Sequence, residues 1–176
     1  MNILLLLLRV HIPMALKKKK IKVLFEMTGN AFQCDTPVLN GLSYEGLLRE
    51  YAMFAKIQSE MAIAGSGDIR QIKESLFQNA LVEGARLKRK LRLKGMKDII
   101  EASRLFYKIL GINFRGNENG EIYIGRCYFS EYFTPEVCRI ISSLDEGIAA
   151  GLSDGKKIYF NYRITEGRNC CYAVIK

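Results

Sequence analysis

The stretch Gly111-Ile112-Asn113-Phe114-Arg115-Gly116-Asn117-Glu118-Asn119-Gly120-Glu121-Ile122-Tyr123-Ile124-Gly125-Arg126 is where the apolar period of this chain changes. Upstream, apolar residues recur at helical spacing. Here they alternate, and the alternation is interrupted by a cluster of Gly and Asn. Ile112–Arg115 and Glu121–Tyr128 therefore predict two strands joined by a turn over 116–120, a β-hairpin.

Downstream, Thr134 is placed as a helix N-cap with Pro135 at the first helical position, where its missing N–H costs nothing. Val137, Ile141, Leu144, Ile148 and Leu152 form one apolar stripe, which predicts a single helix across 135–152. Ser153-Asp154-Gly155 is a turn. Ile158, Phe160, Tyr162 and Ile164 alternate in a half-buried strand over 156–164. Glu166-Gly167-Arg168-Asn169 is a second turn, leading to a last strand over 170–176.

Upstream, Ile21, Val23 and Phe25 alternate with Lys22 and Leu24, predicting a short strand, and the turn residues between Thr28 and Asn40 predict a loop. Ser43 caps a helix ending near Gly65. Ser66 or Asp68 caps a long second helix ending at Gly95, and Met96–Leu110 is a third, with Gly111 at its end. Helices, a hairpin, one helix and a second hairpin give no strand–helix alternation. The predicted class is α+β: an antiparallel sheet of four or five strands packed on helices.

At 176 residues, 49% of them hydrophobic and 26% charged, the chain can bury a core of its own and does not read as disordered. Five cysteines are too few for a disulfide scaffold, and their odd number, with no export signal, leads us to expect a reducing, cytoplasmic setting. The apolar run from Ile3 ends at Arg9, far short of the roughly 20 residues of a membrane span. Met14 is the more natural start, so residues 1–13 are expected to be a non-native extension, disordered or lightly packed, and 14–176 a single domain. His11, the single histidine, lies in that extension, so His-based catalysis and His-rich metal sites are not expected.

The net charge of +9 is concentrated in two runs, Lys17–Lys20 with Lys22, and Arg86 to Lys97. Such runs suit nucleic acid or an anionic membrane surface. No aromatic residues are interleaved with them as stacking platforms, so nucleic acid is not the expected partner. In the second run the cations largely lie opposite the Ala80, Gly84, Leu87, Leu91 stripe, as on a solvated helix face.

Four of the five cysteines fall between Cys127 and Cys171. Cys138, Ser142 and Asp145 share one helix face. Cys170 and Cys171 are adjacent on a strand and point to opposite faces. Cys127, Cys138 and Cys171 or Cys170 are thus candidate ligands for zinc, with Asp145 or Glu146 as a fourth. Alternatively they are small buried hydrophobes. Cys138, in the first turn of its helix and followed by Arg139, is also placed for a lowered thiol pKa. That would make it a candidate nucleophile, with Asp145 or Glu146 handling the proton. Gly147 and Gly151, four apart in a helix, imply close approach of a ligand or of another element, with tight packing on the sheet the expected cause. The aromatic cluster that includes Phe129, Tyr132 and Tyr162 has members enough to line an apolar pocket.

In Cys138, Gly147, Gly151, Gly167 and Cys171 the chain resembles the 4-vinyl reductase family of small-molecule-binding domains. Those residues match a cysteine opening a helix, two glycines four apart, and a Gly-x-x-x-Cys turn into a final strand. The same segment is also similar to the 2-amino-thiazoline-carboxylate hydrolase family. The close resemblance covers about 50 residues. It implies a fold like that of haem-NO-binding domains and TRAPP subunits, a homodimer formed through the long helices, and a ligand pocket between helices and sheet. It also implies a zinc held by three cysteines and a glutamate. Cys138 and Cys171 match the first and last of these ligands, while Phe160 and Arg163 stand near the middle two. The expected function is a stand-alone module binding an apolar or aromatic small molecule. A small hydrolase or reductase accessory protein using Cys138 and Asp145, and an assembly scaffold, are the alternatives.

Overall fold

In a computed structural model describing residues 3–176, seven helices and four strands run in the order α1 (Ile3–Val10), α2 (Met14–Phe32), α3 (Tyr44–Ala64), α4 (Ile69–Leu91), α5 (Met96–Ile109), β1 (Asn113–Gly116), β2 (Glu121–Arg126), α6 (Pro135–Ile141), α7 (Ser143–Leu152), β3 (Ile158–Tyr162) and β4 (Cys171–Ile175). Single 3-10 turns follow β2 and β3. The class is α+β, as the change of period predicts. The strands form one antiparallel sheet in the order β1-β2-β4-β3, so both hairpins are present and β4 joins them.

The caps follow local chemistry. Ser43 Oγ accepts from Gly46 N at 2.9 Å, Asp68 Oδ1 from Gln71 N at 2.9 Å, and Thr134 Oγ1 from Val137 N at 3.3 Å. Gly111, at φ +68°, turns the chain from α5 towards the sheet.

Three local expectations fail. The strand over Ile21–Phe25 is the middle of α2. Ile21, Leu24, Phe25 and Thr28 recur at helical spacing, and all four are buried in the core, which outweighs the imperfect alternation. The loop expected from Thr28 begins only at Gln33, whose left-handed φ of 54° ends the helix. The long second helix stops at Leu91, and Gly95 instead precedes α5.

The helix over 135–152 also breaks, at Ser142. There the Ser142 hydroxyl donates to Arg139 O at 3.4 Å, the kind of local bond by which serine competes with the helix ladder. Within residues 3–13, Ile3–Val10 form α1, and Leu5 and Ile12 are buried.

The core lies between the inner sheet face, which carries Phe114, Ile122, Ile124, Cys171 and Ala173, and the helices. At its centre α7 crosses α4 at backbone distance. A Cβ on Gly147 would stand 2.2 Å from Phe77 O, and one on Gly151 would stand 2.3 Å from Leu81 O. Gly84 on α4 is equally confined, 2.6 Å from Ile148 O by the same construction. The glycines are required by helix–helix rather than helix–sheet packing.

Candidate functional site

Between α5, α6, α7 and the inner sheet face lies a small apolar cavity of about 80 Å³. Tyr51, Phe106, Phe129, Phe133 and Phe160 supply aromatic walls. Into it the chain brings Cys127, Cys138, Cys171, Tyr107, Asp145 and Arg163. Helix α7 places Asp145 in its first turn, and α5 carries Tyr107 opposite. The Tyr107 hydroxyl donates to Asp145 Oδ1 at 2.8 Å. Asp145 lies deep in the molecule but is only half-buried by exposure, because its carboxyl faces the hollow.

Burial pushes the Asp145 pKa up to about 6, against the Tyr107 hydrogen bond and the positive charge of Arg163, which both lower it. The Tyr107 hydroxyl is raised well above its ordinary value by burial and by the adjacent carboxylate, so it stays a donor. Arg163 follows β3. One of its terminal nitrogens donates to Ser142 Oγ at 2.9 Å, and its guanidinium lies 4.2 Å above the Phe160 ring. Its buried Nε has no hydrogen-bond partner among the described residues.

Arg163 and Phe160 form a partition. On their other side lies an open groove of about 780 Å³, whose walls include Lys73, Glu146 and Tyr159. Asp145 and Glu146 thus face different spaces. Burial raises the Glu146 pKa, with Lys73 and Arg163 opposing the shift.

The thiols are not activated. Burial pushes Cys127 up to about 12 and Cys171 up to about 11. Cys138 is also raised by burial, although Thr165 and Arg163 pull the other way. The helix start and Arg139 do not lower it as expected. Arg139 turns outward to Glu166, 2.8 Å away. A nucleophile at neutral pH needs the opposite environment.

Three expected thiols line one cavity, but among the described residues no group of three His, Cys, Asp or Glu side chains is arranged to hold a metal ion. The fixed positive charge of Arg163 beside Cys138 and Cys171 also opposes a metal cation there. These residues do not fit the cysteine-held zinc. Cys170 lies apart from the cavity beside Tyr162.

Of the expected ligand-binding residues, Phe129 lines the cavity. Tyr132 packs on Tyr128 with ring centroids 5.4 Å apart, and Tyr162 packs on Tyr172 at 5.8 Å. Gly147 and Gly151 face α4. The sequence counts Tyr107 only among the aromatic cluster around the pocket, not as a partner of Asp145, and gives Arg163 no role in binding. The available signals were a hydroxyl on the apolar face of α5 and a cation ending an alternating strand.

No known protein family matches the chain, and neither curated proteins nor solved structures show a significant similarity to it. The resemblance to the 4-vinyl reductase family rests on the quoted residues alone.

Proposed function

We propose that the protein is a small-molecule-binding module whose ligand is apolar or aromatic and carries one hydrogen-bond donor. The observation that carries this reading is the Asp145 carboxyl, held by Tyr107 in a cavity walled chiefly by aromatic and aliphatic side chains. A few convergent polar groups in an apolar hollow are the usual form of a ligand site. The carboxylate accepts a hydroxyl or ammonium, and the aromatic walls take the ring.

At about 80 Å³ the cavity is smaller than the roughly 150 Å³ hollow that accepts benzene. A ligand therefore enters by displacing Arg163 and Phe160 and extends into the outer groove. The raised thiols disfavour the alternative of a Cys138-dependent hydrolase. A homodimer accords with the exposed stripe Met53, Ile57 and Met61 on α3.

Calorimetric titration with phenol, benzylamine and toluene tests the reading, using the native chain and Asp145→Asn. Binding of a donor-bearing ring, weakened about tenfold in the variant and absent for toluene, is the expected result. Equal binding by both chains, or none to any of the three, overturns it.

A further inference from the structure

The two basic runs, more than sixty residues apart in sequence, meet at one end of the molecule. Helices α2 and α4 are antiparallel neighbours. Lys20 Nζ lies 2.6 Å from Glu83 Oε1, and Asn79 Nδ2 donates to Met27 O at 3.0 Å. Moving towards the start of α2 therefore moves towards the end of α4, so Lys17–Lys20 lies alongside Arg86–Lys90. The chain has no Asp or Glu before Glu26, nor between Glu83 and Asp98.

Some of these cations are used internally. Lys18 Nζ donates to Leu42 O at 2.8 Å, Lys17 covers the Tyr44 ring, and Lys88 pairs with Asp154. Lys19, Lys22, Arg89, Lys90, Arg92 and Lys94 remain exposed and, among the described residues, lack an ion pair.

The same end is apolar as well as basic. Helix α1 lies over it, with Leu8 facing inward. Leu7 and Val10 on that helix are 64% and 83% exposed. Beneath α1 is an apolar cavity of about 230 Å³ walled by Leu8, Leu16, Leu87 and Leu105, with Lys20, Arg86 and Lys90 at its rim. No helix among the described residues is long and apolar enough to cross a membrane.

We propose that this end is a peripheral docking surface for an anionic lipid bilayer, with Lys19, Arg89, Lys90 and Arg92 on the headgroups and Leu7 and Val10 inserted between them. Charge complementarity selects the anionic surface, and exposed aliphatic side chains beside the cations select lipid over nucleic acid. Nucleic acid would call for rings to stack on. Among the described residues of α1 and the start of α2, the large exposed apolar side chains are the aliphatic Leu7, Val10 and Met14, with His11 as the one exposed aromatic ring between them.

Flotation tests the surface, with phosphatidylcholine vesicles and with the same vesicles containing phosphatidylglycerol. The native chain is expected to float only with the anionic vesicles, and added salt is expected to weaken binding. The exposed-residue variant Lys19→Ala/Arg89→Ala/Lys90→Ala, checked for native circular dichroism, is expected to bind roughly a hundred-fold more weakly. Leu7→Ser/Val10→Ser is expected to abolish the binding that survives salt. Equal flotation with neutral vesicles, undiminished binding by the triple-charge variant, or equal displacement by a single-stranded oligonucleotide overturns the proposal.

Discussion

Tyr107 on α5 and Asp145 on α7 share a 2.8 Å hydrogen bond at the edge of a cavity walled chiefly by aromatic and aliphatic side chains. This acid is harder to ionise in the folded chain than in the unfolded one. Its folded pKa of about 6 lies above its ordinary 3.8, so between those values the native state binds more protons than the unfolded state. Its contribution to stability is therefore present at low pH and is lost as pH rises through about 6. Asp145→Asn removes that dependence. The difference in urea midpoint between native and variant chains, followed from acid to neutral pH, is expected to grow over this window in the variant's favour. A constant difference would refute it.

Arg163 is the cation that restrains this shift. Arg163→Met is expected to move the Asp145 titration above its native position and to raise Cys138 further, since the same guanidinium lowers both. Carboxyl carbon chemical shifts followed against pH read the first effect directly. An unchanged titration would mean that the guanidinium is fully screened.

The cavity thiols are expected to resist alkylation. With Cys127 at about 12 rather than 9.0, its thiolate fraction near neutral pH is roughly a thousand-fold below that of an ordinary thiol. Iodoacetamide labelling read by peptide mass spectrometry is expected to spare Cys127 and Cys171 in the native chain and to reach both in denaturant. Rapid native labelling at either would contradict the closed cavity.

Gly151→Ala is expected to destabilise by about 3 kcal/mol, because the new methyl would meet both Leu81 O and Ala85 N on α4 and neither backbone atom can yield cheaply. Alanine's better helix propensity offsets only about 1 kcal/mol of this. Thermal unfolding measures the balance, and a variant as stable as the native chain would show that the helices can separate.

Much of this architecture is legible in the sequence where local chemistry and tertiary demand agree. Ser43 and Thr134 cap their helices, the 116–120 cluster turns its hairpin, and the stripe from Val137 to Leu152 is buried. The Ile21–Phe25 segment is misread because the helical spacing of Ile21, Leu24 and Phe25 competes with a two-residue alternation, and only burial by α3 and α4 decides between them. The three thiols can be read as neighbours, but their protonation cannot. Desolvation depends on walls contributed by α3, α5 and β3, separate elements that only the fold brings together. Tyr107 meets Asp145 across 38 residues, a pairing no periodicity encodes.

The glycine seam between α4 and α7 has a mechanical consequence. A lock that tight makes these two helices one rigid unit, so on the proposed ligand-binding reading entry to the hollow runs past the opposite wall. That wall is Phe160, Arg163 and the short turn beyond them, carried by the edge strand β3 and its exit rather than by a fused pair of helices. Residence time in the cavity would then be set by how often this thin wall swings aside. A residue there could tune exchange kinetics without altering the chemistry of the interior.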